Sequence, residues 1–249
     1  MNIKISFKDR IKEAFRRRGC KPFVQPLAFS SSDRILVVAP HPDDEAIGCG
    51  ALMEKYHGLI DVLLVTNGAK GNPEWTKDNT IRVRHEEFLV ATSRVATRYE
   101  LFLEDTEFSY REFKRKKFDF SRYNAVFVPN VHESHPDHVK TNLFISHILS
   151  GLKQNIRIFE YEVWTPLRNV NCYLDFTDKV EEKKELIGCY ESQIKHIDYG
   201  RKRCELNSYR GMQLSVGYAE CYYLQVDLIG KFFELLYDLY KYGCWYLRM

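Results

Sequence analysis

The sequence lacks most of the features that would mark it as anything but a folded globular domain. Glycine (13) and proline (8) are scarce over 249 residues, so low-complexity and collagen-like architectures do not fit. No apolar run reaches the roughly 18 residues needed to cross a bilayer. Charge of one sign is lacking too. The 37 basic residues face 34 acidic ones, a net +3, which leaves no uniform field for a polyanion and argues against nucleic-acid binding. Seven cysteines are present. Odd in number and without a CxxC pair, they match neither a secreted disulfide framework nor a structural zinc knot. A reducing compartment follows, and the charged first twenty residues lack the apolar stretch of a signal peptide. The expected location is cytoplasmic, with peripheral membrane contact and homo-oligomerisation both left open.

What is present is a chain that alternates short apolar runs with helical patterns from Asp33 onward. Residues 35–39 (ILVVA), 61–66 (DVLLVT), 100–103 (ELFL) and 125–129 (AVFVP) read as buried strands, and 156–164 as a longer one. Helical patterns are expected over 50–56, 78–98 and 137–152. Strands apolar on both faces and separated by helices predict a single α/β domain. Its core would be a Rossmann-like, mostly parallel sheet covered by helices on both faces. The expected divisions are a basic N-terminal extension (1–32), a central domain (33–225) and a C-terminal amphipathic helix (226–249). Open sheets of this kind collect ligands beyond the carboxyl ends of their strands, here just after Ala39, Thr66, Leu103 and Pro129.

Two of those four positions are dense in metal-type ligands. PHPDDE (40–45) follows the first strand, and HESHPDH (132–138) follows the fourth. Imidazole and carboxylate donors together suit zinc, whose catalytic sites commonly take three protein ligands. A single His-Pro-Asp triplet reads more readily as a turn, with proline fixing φ and aspartate capping the next helix. Two such triplets, each at a strand end, favour a shared metal.

These residues resemble the PIG-L/LmbE-like N-deacetylases. The likeness rests on HPDDE (41–45) and HPDH (135–138). It extends through TNGAKG (66–71), RHEE (84–87), YESQ (190–193) and NSYRG…YAE (207–220), covering about Arg34 to Glu220. The resemblance implies hydrolysis of the N-acetyl amide of an amino-sugar conjugate. It implies that His41, Asp44 and His138 bind Zn2+, or Fe2+, which the same donors accommodate. Asp43 would be the general base, and His135 would face the oxyanion with Asp137 as its orienting carboxylate. Arg84 resembles a position that contacts the polar part of the substrate, with a surface helix charge as the alternative. Asp105 resembles an acid that contacts sugar hydroxyls. Asn67 and Gly68 would line the pocket, as would Tyr209 and Arg210. His132 stays ambiguous, whereas His57, His85, His147 and His196 are expected to be structural or solvated. Competing functions are a non-catalytic sugar- or lipid-binding protein on the same fold and a metal-dependent hydrolase of another bond.

Overall fold

The computed structural model describes residues 24–225, apart from 153, 155 and 196. Most of the expected basic extension, the C-terminal stretch 226–249 and His196 lie outside the described residues. The strands are β1 (Gln25–Pro26), β2 (Ile35–Ala39), β3 (Ile60–Thr66), β4 (Thr97–Leu103), β5 (Ala125–Pro129), β6 (Arg157–Tyr161), β7 (Cys172–Asp175) and β8 (Ala219–Leu224). They form one sheet in the order β1-β7-β8-β6-β5-β2-β3-β4. Strands β4, β3, β2, β5 and β6 run parallel. Only β8 opposes its neighbours β6 and β7. Because β1 pairs with β7, the sheet already includes residues placed in the expected extension.

The helices are α1 (Asp44–Tyr56), α2 (Lys77–Ala91), α3 (Tyr110–Arg115), α4 (Pro136–Ser150), α5 (Val180–Gly188), α6 (Glu191–Ile194) and α7 (Tyr199–Leu214). Strand periodicity explains how they divide between the faces. Successive side chains point to opposite faces, so Ile35, Val37 and Ala39 join a core layer with residues of α1, α2, α5 and α7. Leu36 and Val38 join the opposite layer, with residues of α3 and α4. Every residue of β2 and β5 is buried, which is why both read as continuous apolar runs. Each fully buried aliphatic side chain there contributes about 1.5–3 kcal/mol.

Several boundaries differ from expectation, three of them for a clear local reason. Helix α2 stops at Ala91 rather than 98, because the Thr92 hydroxyl bonds back to the Phe88 carbonyl at 2.5 Å and Thr97 and Arg98 pair in β4 with Asp61 and Val62. Strand β6 stops at Tyr161 because the Glu133 carboxylate takes the amides of Val163, Trp164 and Thr165. Helix α1 starts at Asp44, ahead of the expected residue 50, and is kinked at Cys49 (φ −130°, ψ 17°). The sequence pattern reads only its second half. Glu220 accepts the freed Ala51 and Leu52 amides at 2.8 and 2.9 Å, and Lys183 donates to the Ile47 carbonyl at 3.1 Å. Gly48 is required beside this kink, since a Cβ there would lie 2.2 Å from the Tyr161 ring.

Candidate metal centre and active site

The parallel register of β2, β3, β4 and β5 brings their carboxyl ends to one edge of the sheet, and all four following loops supply the site. Pro40 accepts the Thr66 amide at 3.0 Å, and Leu103 accepts the Asn67 amide at 2.9 Å, so adjacent loops are tied where they leave the strands.

At that edge His41, Asp44 and His138 meet. His41 Nδ1 lies 3.2 Å from Asp44 Oδ2, His138 Nε2 lies 3.1 Å from the same oxygen, and the two nitrogens are 3.3 Å apart. Three donors around a tetrahedral ion at about 2.0–2.1 Å would be separated by about 3.3 Å. The three edges match one face of such a tetrahedron, and all three residues are buried. The donor set fits a divalent metal. Asp44 occupies the first turn of α1, where the helix dipole favours an anion. Burial pushes its carboxyl upward, but His138 and His41 outweigh that and hold it well below the usual carboxylate range.

The other edge of the His41 ring faces two more acids. Nε2 is 3.3 Å from Asp105 Oδ1 and 3.3 Å from Asp137 Oδ2. These three side chains also lie close enough to hold a cation between them, as do His41, His135 and His138. However, Asp105 already accepts the Lys70 amide at 2.9 Å. Asp137 already accepts the Thr106 amide at 2.7 Å and faces Lys140 Nζ at 3.3 Å. The two carboxylates therefore act as acceptors for His41 Nε2–H, which fixes the tautomer and leaves Nδ1 for the metal. Burial opposes a charge on His41, yet Asp105, Asp137 and Asp44 raise its pKa well above the ordinary imidazole value. In metal-free protein that ring holds a proton among three acids, and a bound cation would displace it.

Asp43 stands beside this triangle without sharing its vertices. Its backbone is strained, at φ 125° and ψ −28°. Arg84 holds the strained turn, donating to Pro42 O at 2.7 Å, to Asp43 Oδ2 at 3.0 Å and to Gly68 O at 3.0 Å. Gly68, at φ +63°, and Gly71 leave room for the guanidinium; a Cβ on Gly71 would meet it at 2.2 Å. Burial pushes Asp43 up to about 7, with Arg84 pulling the other way. The neighbouring Glu45 is pushed up to about 8 by burial, against a hydrogen bond from the Tyr190 hydroxyl.

His135 is the N-cap of α4, and its Nδ1 accepts the Asp137 amide at 3.2 Å. That bond makes Nε2 the N–H end of the neutral ring. Burial, His41 and His138 all lower its pKa.

The structure brings His41, Asp43, Asp44, His135, Asp137 and His138 together, but changes several expected placements. Asp137 orients His135 through its backbone amide, while its carboxylate serves His41. His135 carries a lowered pKa, which favours its neutral ring. Arg84 is not a surface charge: it is 3% exposed and tied to the Asp43 turn. Asp105 is turned onto His41 rather than outward. Asn67 is occupied at both ends, by Ala69 N and Glu104. Arg210 pairs with Glu162, and Tyr209 is exposed. Sequence reasoning missed Lys140 and Glu133. Lys140 was signalled by its place one helical turn after Asp137, and Glu133 by its place inside the second motif.

Three buried donors with the spacing a divalent metal needs, beside a further carboxylate at the ligand edge of an open α/β sheet, have the form of a metallohydrolase-type site. Residues 36–149, a stretch that spans both motifs, match the PIG-L family, described as GlcNAc-PI de-N-acetylase. It is 27% identical over 200 residues to a diacetylchitobiose deacetylase of Thermococcus kodakarensis, covering 67% of this chain and 72% of that protein. The N,N'-diacetylchitobiose deacetylase of Pyrococcus horikoshii, solved with an inhibitor, superposes with TM-score 0.67 at 22% identity, over 90% of this chain and 94% of that one. The hydratase GalB of Pseudomonas putida shares the fold with TM-score 0.61 at 16% identity, over 78% of this chain and 97% of that one. The fold thus hosts more than one reaction, and the site must decide among them.

Proposed function

We propose that this protein is a zinc-dependent hydrolase of the N-acetyl amide in an N-acetylglucosamine-type conjugate, releasing acetate and a free amine. The observation that carries the reading is the triangle of His41 Nδ1, Asp44 Oδ2 and His138 Nε2, with edges of 3.1–3.3 Å, next to a carboxylate that is not one of its vertices. The deacetylases among its relatives support the choice of bond. A divalent ion held by those three side chains supplies Lewis acidity and positive charge where the amide reacts.

The remaining work falls to the chain's own groups. Asp43, with a pKa near neutrality, accepts a proton from the attacking water, and Arg84 fixes the carboxylate that takes it. Nδ1 of His135 is engaged by the Asp137 amide, so its Nε2–H is free to donate to the oxyanion that develops on the acetyl carbonyl. The proton collected by Asp43 then passes to the sugar nitrogen, the C–N bond breaks, and acetate remains. Asp105 and Asp137 hold His41 in one tautomer throughout, and Lys140 offsets part of their charge.

Acetate release from a panel of N-acetylglucosamine conjugates, with and without chelator, tests the reading. Chelator-sensitive release supports it. Turnover unchanged by chelation, or release of any product other than acetate and amine, contradicts it.

A further inference from the structure

Beyond the reacting centre, one aromatic pair includes a ring that lies past the carboxyl end of β6. Trp164 follows β6 at the carboxyl edge of the sheet and is 42% exposed. Tyr199 opens α7, and the two rings meet edge to face with centroids 5.2 Å apart. The exposure of Trp164 does not come from a loose backbone. The carboxylate of Glu133, inside the second metal motif, accepts its amide at 3.0 Å and the amides of Val163 and Thr165 at 2.8 and 3.0 Å. The Thr165 hydroxyl in turn accepts the Ser134 amide at 3.1 Å, one residue before His135. From the other side Arg203 of α7 reaches Val163 O at 3.5 Å and Glu162 at 3.5 Å. The loop bearing Trp164 is therefore braced to the His135 loop and to the helix bearing Tyr199.

Tyr199 belongs to the same neighbourhood as the base. It packs on the core layer that contains Ala46 and Ile47 of α1. Burial raises the pKa of its phenol, Asp43 raises it further, and Arg84 lowers it, which places the hydroxyl within the field of both.

A large apolar ring held open to solvent on a braced backbone is a poor core residue but a good flat receptor. The pyranose ring of a gluco-configured sugar presents several axial C–H bonds on one face, and such a face packs well against the electron-rich face of an indole. Resting on the amino-sugar reading above, we propose that Trp164 and Tyr199 form a carbohydrate-stacking subsite. It takes the closed pyranose ring of the substrate while the acetamido group reaches the metal triad. The pair thereby selects cyclic amino sugars over open-chain acetamides.

Trp164 can report on itself. The chain has three tryptophans, so a W75F/W245F protein retains Trp164 alone, and adding Asp43→Asn prevents consumption of a probe. Methyl N-acetyl-β-glucosaminide should change Trp164 emission saturably. N-acetylglucosaminitol, which keeps the acetamido group but has no ring, should leave it unchanged at equal concentration. In kinetics, Trp164→Ala should raise KM for the glycoside about 10-fold with kcat nearly preserved, while Trp164→Phe stays within about 3-fold of wild type. Equal responses to the two probes, no response to either, or an unaltered KM in Trp164→Ala would overturn the subsite. Failure of the deacetylase reading would register separately, as no acetate release by wild-type protein, and would leave the emission titration to decide the subsite.

Discussion

At the midpoint of α1, Lys183 and Glu220 bury one charge of each sign, both fully inaccessible. At the first turn of the same helix, Asp43, Asp44 and Glu45 are buried beside His41 and His138. The midpoint pair is satisfied from within. Glu220 accepts from Ala51, Leu52, Lys183 and the Tyr222 hydroxyl, and Lys183 also donates to Ile47 O. The first turn is not. Two of its acids are pushed up to about 7 and about 8, Asp43 is strained, and His138 Nδ1 has no partner among the described residues. Buried charge that closes its own hydrogen bonds splints a helix. Buried charge left in conflict, around a point where three donors converge, marks a place for a cation and for chemistry.

The sharpest way to break this contrast is to neutralise one group in each cluster. Asp43→Asn removes a proton acceptor without removing a metal donor. It should lower kcat about 1000-fold while metal content, measured by elemental analysis, stays at wild-type level. Near wild-type turnover would remove Asp43 from the role of base. Lys183→Met should act in the opposite sense, destabilising the fold by about 3–5 kcal/mol because Glu220 is left buried and unpaired. Adding Glu220→Gln, which keeps the acceptor for α1, should return at least half of that loss in denaturant melts. A further drop in the double variant would show that the pair is not a unit.

Metal removal should separate the clusters more gently. Chelation should lower wild-type stability by about 3 kcal/mol for a metal present at roughly 100 times its Kd. His138→Ala should lose both the metal and this sensitivity to chelator. A last effect concerns pH. The folded pKa of Glu45 is raised from 4.5 to about 8, so the native state holds its proton more tightly than the unfolded chain. That stability is fully present below 4.5 and is lost as pH rises through about 8. Melts of metal-free protein across this window should therefore slope downward, and Glu45→Gln should flatten the slope. A steeper slope in Glu45→Gln would reverse the assignment.

Much of this site was legible in the sequence because its donors sit in two short strings, each beginning where a buried strand ends. Local order alone places His41, Asp44 and His138 at the same edge once the sheet is parallel. What stayed hidden depends on the direction of side chains across long separations. Nothing local indicates that Arg84 reaches back 41 residues to Asp43. Nor does sequence order show that Asp137 presents its amide to His135 and its carboxylate to His41. The kink in α1 was hidden for the same reason, since its caps come from Lys183 and Glu220, far along the chain. The antiparallel β8 is short and follows a helix, so alternation alone gives no direction for it.

Anomalous scattering from crystals of the metal-loaded protein, collected at the zinc edge, tests the central claim most directly. One peak per chain is expected, about 2.0–2.2 Å from each of His41 Nδ1, Asp44 Oδ2 and His138 Nε2. A peak seated between Asp105 and Asp137 instead, or none at this edge of the sheet in protein that is fully active, would contradict it.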